Sequence, residues 1–97
     1  MIRRVVKMTF REDMTSQFLE NFHRNKAKIR AFKGCQHLEL WQAKKEENVF
    51  FTFSIWNSED DLNAYRASEL FGGVWKTTKA MFSEKPQAWS VDQVATC

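Results

Sequence analysis

Phe53-Ser54-Ile55-Trp56-Asn57-Ser58-Glu59-Asp60-Asp61-Leu62-Asn63-Ala64-Tyr65-Arg66-Ala67-Ser68-Glu69-Leu70-Phe71 is the stretch whose reading decides the fold. It predicts the end of a strand, a sharp turn and an amphipathic helix. Trp56 closes the strand. Ser58 is placed to cap a helix over 59–71, with Asp61 three positions on, as in an acidic variant of the capping box. Leu62, Tyr65, Glu69 and Leu70 then recur at helical spacing. Trp56, Tyr65, Phe71 and Trp75 fall close together, a dense aromatic supply.

Working back from Trp56, residues 49–56 alternate as a strand. Val49, Phe51, Phe53 and Ile55 share one face, and Phe50, Thr52, Ser54 and Trp56 the other. Both faces carry large apolar groups, which predicts a strand covered on both sides. Lys44–Asn48 is a charged hairpin loop. It is preceded by a strand over 35–43 with Leu38 and Leu40 on one face and Cys35, His37, Glu39 and Trp41 on the other. Gly34 ends a helix running from Thr15 to about Phe32, with Asp13 or Thr15 as its cap. Its apolar stripe is Phe18, Leu19, Phe22, Ile29 and Phe32. Residues 2–11 alternate as a first strand, Val6, Met8 and Phe10 lying on one face. Forward of Phe71, a helix is predicted over 73–82, and Pro86 introduces a strand over 87–95.

The order is β-α-β-β-α-(α)-β, the ferredoxin-like pattern of the α+β class: a four-stranded antiparallel sheet with helices on one face. The chain of 97 residues reads as one domain over 1–97. A sheet apolar on its bare side predicts packing against the sheet of a second copy, a homodimer.

Composition limits the function. A formal net charge of +3 is well below the basic excess of a dedicated nucleic-acid binder. The stretch Asn48-Val49-Phe50-Phe51-Thr52-Phe53 faintly echoes an RNA-recognition strand, but the Lys/Arg-Gly start is absent, so no nucleic-acid partner is expected. No run approaches the ~18 apolar residues that span a membrane. The N-terminus lacks an apolar signal-peptide core, and two cysteines without a framework suit a reducing, cytoplasmic setting. His23 and His37 lie on different elements with no CxxC or HExxH, so no metal site is expected.

The chain resembles the antibiotic biosynthesis monooxygenase family, dimeric α+β barrels. The residues that carry the likeness are Gly34-Cys35 entering the second strand, Phe53–Trp56 ending the third, and Ser58-Glu59-Asp60-Asp61-Leu62 followed by Tyr65–Phe71. The family includes cofactor-independent oxygenases of polycyclic phenols, quinol oxygenases, haem-degrading oxygenases and members without known activity. The resemblance implies a ligand cavity between sheet and helices. It departs from the haem-degrading branch, whose Asn, Trp and ligating His correspond here to Val6 (or Met8), Tyr65 and Trp75. A His often found in the quinol-oxygenase branch is replaced by Tyr65.

The expected activity is therefore cofactor-independent monooxygenation of a small aromatic or quinol-like molecule, with no bound cofactor. The alternative is a non-catalytic small-molecule-binding or structural homodimer on the same fold. Tyr65 and His37 are the candidate catalytic residues, Tyr65 by hydrogen-bonding a phenol and helping to remove its proton, His37 as a base. Trp56 and Trp75 are expected to sandwich a flat ligand. Thr52 and Ser54 would leave room for it, and Phe71 and Met8 would complete its walls.

Overall fold

The computed structural model describes residues 1–97. Strand β1 spans Ile2–Thr9, helix α1 Thr15–Arg30, β2 Cys35–Gln42, β3 Val49–Trp56, α2 Glu59–Arg66, α3 Glu69–Lys79 and β4 Gln87–Val91; one 3-10 turn, Glu12–Met14, precedes α1. The strands form one sheet in the order β2-β3-β1-β4, every neighbouring pair antiparallel. This is the ferredoxin-like α+β architecture expected from the element order.

The alternation of β1 and β3 divides the sheet into two faces. On the inner face, Met8, Phe10 and Phe50 meet Phe18 and Phe22 of α1 and Met81, forming the main core. Phe10 stacks on Phe18 at 4.1 Å between ring centroids. A second cluster gathers Cys35, Trp56 and Leu62, with Phe32 and Tyr65 packed against it. Thr52 and Ser54 lie between Phe50 and Trp56 on the same face, so the small side chains of β3 separate the two packed clusters. Large groups fill both ends of the face, and the middle is left open.

Local chemistry sets the helix ends. The Ser58 hydroxyl accepts from the Asp61 amide at 3.1 Å, as a capping serine should. The Asp61 carboxylate does not reach back to the Ser58 backbone; its side chain lies over Gly34, where a Cβ would come within 2.5 Å of it. Gly34 has φ +88°, a conformation that favours glycine. Close approach and backbone conformation thus both require glycine where α1 hands over to β2.

The structure corrects four sequence expectations. The helices predicted over 59–71 and 73–82 divide earlier. The break falls at Ala67-Ser68, and Gly72-Gly73 lie within α3. The cause is Ser68, whose Oγ accepts from the Phe71 amide at 3.1 Å and so starts a new helix. Neither Asp13 nor Thr15 caps α1: Met14 holds the N-cap position without a side-chain bond, and the Thr15 hydroxyl donates to the Glu12 carbonyl of the preceding turn. The last strand stops at Val91, leaving Val94 outside the sheet and exposed. Finally, Cys35 and His37 do not share a face. Cys35 pairs with Trp56 and His37 with Ile55, so Gln36 is the extra residue of a bulge. Cys35 turns into the core while His37 turns outward.

Candidate functional site

The open middle of the inner face is a cavity of about 290 Å³ between the sheet and the helices. Its floor is Val6, Met8, Thr52, Ser54 and Trp56 from the two central strands. Its roof is Tyr65 from α2 and Phe71, Val74, Trp75 and Thr78 from α3.

Ser68 positions the roof. Its amide and hydroxyl both donate to the Tyr65 carbonyl, at 3.0 and 2.6 Å, before the same hydroxyl accepts from Phe71. One residue therefore fixes the last turn of α2 against the first turn of α3 and brings Tyr65 and Phe71 edge to face, with centroids 5.2 Å apart. The contacts continue on either side. Tyr65 stacks on Trp56 at 4.8 Å, and Phe71 stacks on Trp75 at 5.7 Å. Trp56 and Trp75 thus take part in two separate stacks. Each spends a ring face on a protein aromatic, and together the four rings form a continuous wall. Fully buried Trp56 also donates its indole N–H to the Ser54 hydroxyl at 3.0 Å, leaving the Ser54 proton free to be donated elsewhere.

The Tyr65 hydroxyl has no hydrogen-bond partner within the chain, yet it is not sealed in the core. It belongs to the cavity lining. Burial, with the nearby Cys35 thiol as a lesser cause, pushes the Tyr65 pKa up to about 12. Near neutral pH this phenol keeps its proton. In that form it can donate a hydrogen bond to a ligand oxygen.

His37 is absent from the cavity. The bulge at Gln36 turns it to the outer face of the sheet, where it pairs with Glu39 and meets Phe53 edge to face at 6.0 Å. The Glu39 carboxyl is held below its usual range by hydrogen bonds from His37 and then from the Trp41 indole. Within one chain, His37 and Tyr65 do not form an acid–base pair.

Sequence reasoning missed the two charged cavity residues, Arg4 and Arg66. Arg4 precedes Val6 by two and Met8 by four, so strand alternation places it on their face. Arg66 follows Leu62 by four and lies along the same side of α2. A charged residue in register with an apolar face was the available signal. Desolvation, and then repulsion from Arg66, lowers the Arg4 pKa from its ordinary value. No group of three or more His, Cys, Asp or Glu side chains comes together in a way that could hold a metal ion.

No curated protein sequence matches the chain. Among solved structures it is similar to an antibiotic biosynthesis monooxygenase, with a TM-score of 0.92 at 17% identity, covering 98% of this chain and 100% of the other. It is also similar to SnoaB, a cofactor-independent oxygenase from Streptomyces nogalater, with a TM-score of 0.86 at 16% identity and coverage of 98% and 94%. Rv0793 from Mycobacterium tuberculosis aligns with a TM-score of 0.87 at 14% identity, covering 98% and 96%. At such identities the likeness establishes the fold. The sequence itself matches the family model described as antibiotic biosynthesis monooxygenase over residues 1–76. With most of its length matched and its architecture shared, the chain belongs to the antibiotic biosynthesis monooxygenase family.

Proposed function

We propose that the protein is a monooxygenase that oxidises a small phenolic or quinol-like ring in the cavity beneath Tyr65, using the ring's own electrons to activate oxygen. The observation that carries this reading is the unpartnered Tyr65 hydroxyl, set between Trp56 and Phe71 in a mostly apolar cavity lining. In a low-dielectric site a neutral hydroxyl donor strengthens a bond to a phenolate more than one to a phenol, so Tyr65 favours the anion. A phenolate is electron-rich enough to give an electron to O₂. Recombination forms a C–O bond at a ring carbon. Loss of that carbon's proton with cleavage of the O–O bond leaves a quinone and water. The net change is phenol plus O₂ to quinone plus water. One oxygen atom enters the product, and the substrate supplies all four electrons. The protein's part is to position the ring, keep bulk water away and hold the oxyanion.

The working form in this reading is a homodimer in the cytoplasm, closed through the outer sheet faces. Support comes from the exposure of Trp41, Trp89 and Val91 there, at 43%, 45% and 39%, beside the half-buried Phe51, Phe53 and Ile55. Both cysteines are free, as suits a reducing compartment. Such an interface buries about 2,000 Å² or more in total. Haem degradation is not part of the reading, since Trp75 offers an N–H donor and no iron-ligating atom.

An oxygen electrode with a panel of one- and two-ring phenols and quinols tests the activity. The expected result is enzyme-dependent oxygen uptake matched by quinone formation. Tight binding of such rings without oxygen uptake would replace the oxygenase with a non-catalytic binding protein.

A further inference from the structure

Arg4 and Arg66 are the two charged side chains that line the cavity. They approach it from opposite layers, Arg4 from the centre of the sheet opposite Ser54, Arg66 from the last turn of α2 beside Tyr65. The chain's ion pairs are Glu20–Arg24 and His37–Glu39, so neither guanidinium has a carboxylate partner. Arg4 spends one N–H on the Ser90 hydroxyl at 3.1 Å and keeps the rest of its fork. The other polar groups of the lining side chains are the hydroxyls of Thr52, Ser54, Tyr65 and Thr78 and the indole N–H groups of Trp56 and Trp75. No side-chain carboxylate or amide oxygen faces the space.

Two like charges directed at one apolar cavity repel each other, and a partly buried cation without a counter-ion is costly. A single anion between them removes both penalties. A guanidinium fork also matches an oxyanion in shape, donating two N–H groups to two oxygens or to one in a planar, bidentate fashion. The volume limits the rest of the ligand. A cavity of about 150 Å³ holds one benzene ring. At about 290 Å³ this one has room for two fused rings.

We propose that the cavity selects a one- or two-ring aromatic bearing an oxyanion, phenolate or carboxylate, seated with that group between Arg4 and Arg66 and its rings along Tyr65, Phe71 and Trp75. This deepens the oxygenase reading and rests on its assignment of the cavity as the substrate site. Under it Tyr65 has two cationic neighbours for the same oxyanion. The substrate then reaches the site already ionised, and the cavity needs no base of its own.

Calorimetric titration with 2-naphthoate, 2-naphthol and 2-naphthamide tests the proposal, with thermal melting as the check on folding. Naphthoate is expected to bind about tenfold or more tighter than the neutral, nearly isosteric amide. Arg4→Gln and Arg66→Gln should each remove about that factor for naphthoate and leave the amide unchanged. Arg66 is at an exposed helix end, so its variant keeps the test available if the strand variant misfolds. An Arg-dependent loss for naphthol but not naphthoate would identify the oxyanion as a phenolate. Equal affinity for naphthoate, naphthol and amide, no binding of any of them, or wild-type binding of both acidic ligands by the glutamine variants would overturn the clamp.

Oxygen uptake separates this proposal from the reading beneath it. Turnover of neutral naphthoquinol that is undiminished in both variants keeps the oxygenase and removes the clamp. Charge-selective binding without any oxygen uptake keeps the clamp and removes the oxygenase.

Discussion

The two faces of one sheet are built from the same alternating strands and end in opposite states. On the inner face of β3, Phe50 and Trp56 are buried at either end and Thr52 and Ser54 leave a gap. On the outer face, Phe51, Phe53 and Ile55 form an unbroken apolar row, flanked by Val5 and Trp89 across the register. Both rows are rich in aromatics, so hydrophobicity alone does not distinguish a ligand site from an association surface. What distinguishes them is size patterning and cover. Small polar residues among large ones, roofed by helices, make a cavity. Large residues in sequence, without a roof, make a flat surface suited to another flat surface.

The largest expected effect breaks the outer face. Phe51→Glu places a carboxylate beside Lys7 across the strand pair, which the single chain tolerates, but would bury it in the proposed sheet-to-sheet interface. Burial of a poorly matched charge costs several kcal/mol, so the dimer dissociation constant should rise about a hundredfold or more. Analytical ultracentrifugation at micromolar protein reads this as a change from dimer to monomer mass. A wild-type chain that is already monomeric would remove the outer face from the account.

The next effect belongs to the inner face. Tyr65 is the chain's single tyrosine, so absorbance near 295 nm titrates it alone. Its midpoint should fall near pH 12 rather than about 10. The sign of the stability change follows. Below about pH 10 the phenol is protonated in both folded and unfolded chains and the full stability is present. As the pH rises toward 12 the unfolded chain ionises first, so stability falls, by up to about 3 kcal/mol. Tyr65→Phe should remove that part of the alkaline loss. A midpoint near 10 would mean the ring is more open to water than the cavity geometry implies.

Tyr65→Phe also sharpens the chemistry. It removes the one hydroxyl of the roof on α2 and leaves the ring stacked on Trp56. The expected loss in kcat/KM toward a quinol is about 10- to 100-fold, the worth of a hydrogen bond to a charged oxygen, with the melting temperature little changed near neutral pH. The smallest effect is a gain. Gly73 lies within α3, and an added Cβ meets nothing within 4 Å. Gly73→Ala should therefore stabilise the chain by about 0.5–1 kcal/mol, raising the melting temperature by a few degrees.

Strand alternation made the element order and the inner face of β3 legible from the sequence, because a period of two leaves little freedom once one face is apolar. Thr52 and Ser54 stood out as the small residues between Phe50 and Trp56, and they do line the cavity. The misreadings arose where one residue redirects the chain. Gln36 is unremarkable in composition, yet as a bulge it reverses every side chain before it relative to those after it, so Cys35 and His37, two apart, lie on opposite faces. Ser68 sits inside a continuous helical period and ends it by accepting one backbone bond. Arg4 and Arg66 carried the right spacing, but charge on an apolar face is read as solvated until the roof above it is known.

A crystal structure with a bound two-ring quinol analogue tests the central claim most directly, because it asks which face holds the ring. The account predicts the ring between Thr52 and Phe71, with an oxygen about 2.7 Å from the Tyr65 hydroxyl. A ring seated on the outer face beside Phe53, or one in the cavity with Tyr65 turned away from its oxygens, would contradict it.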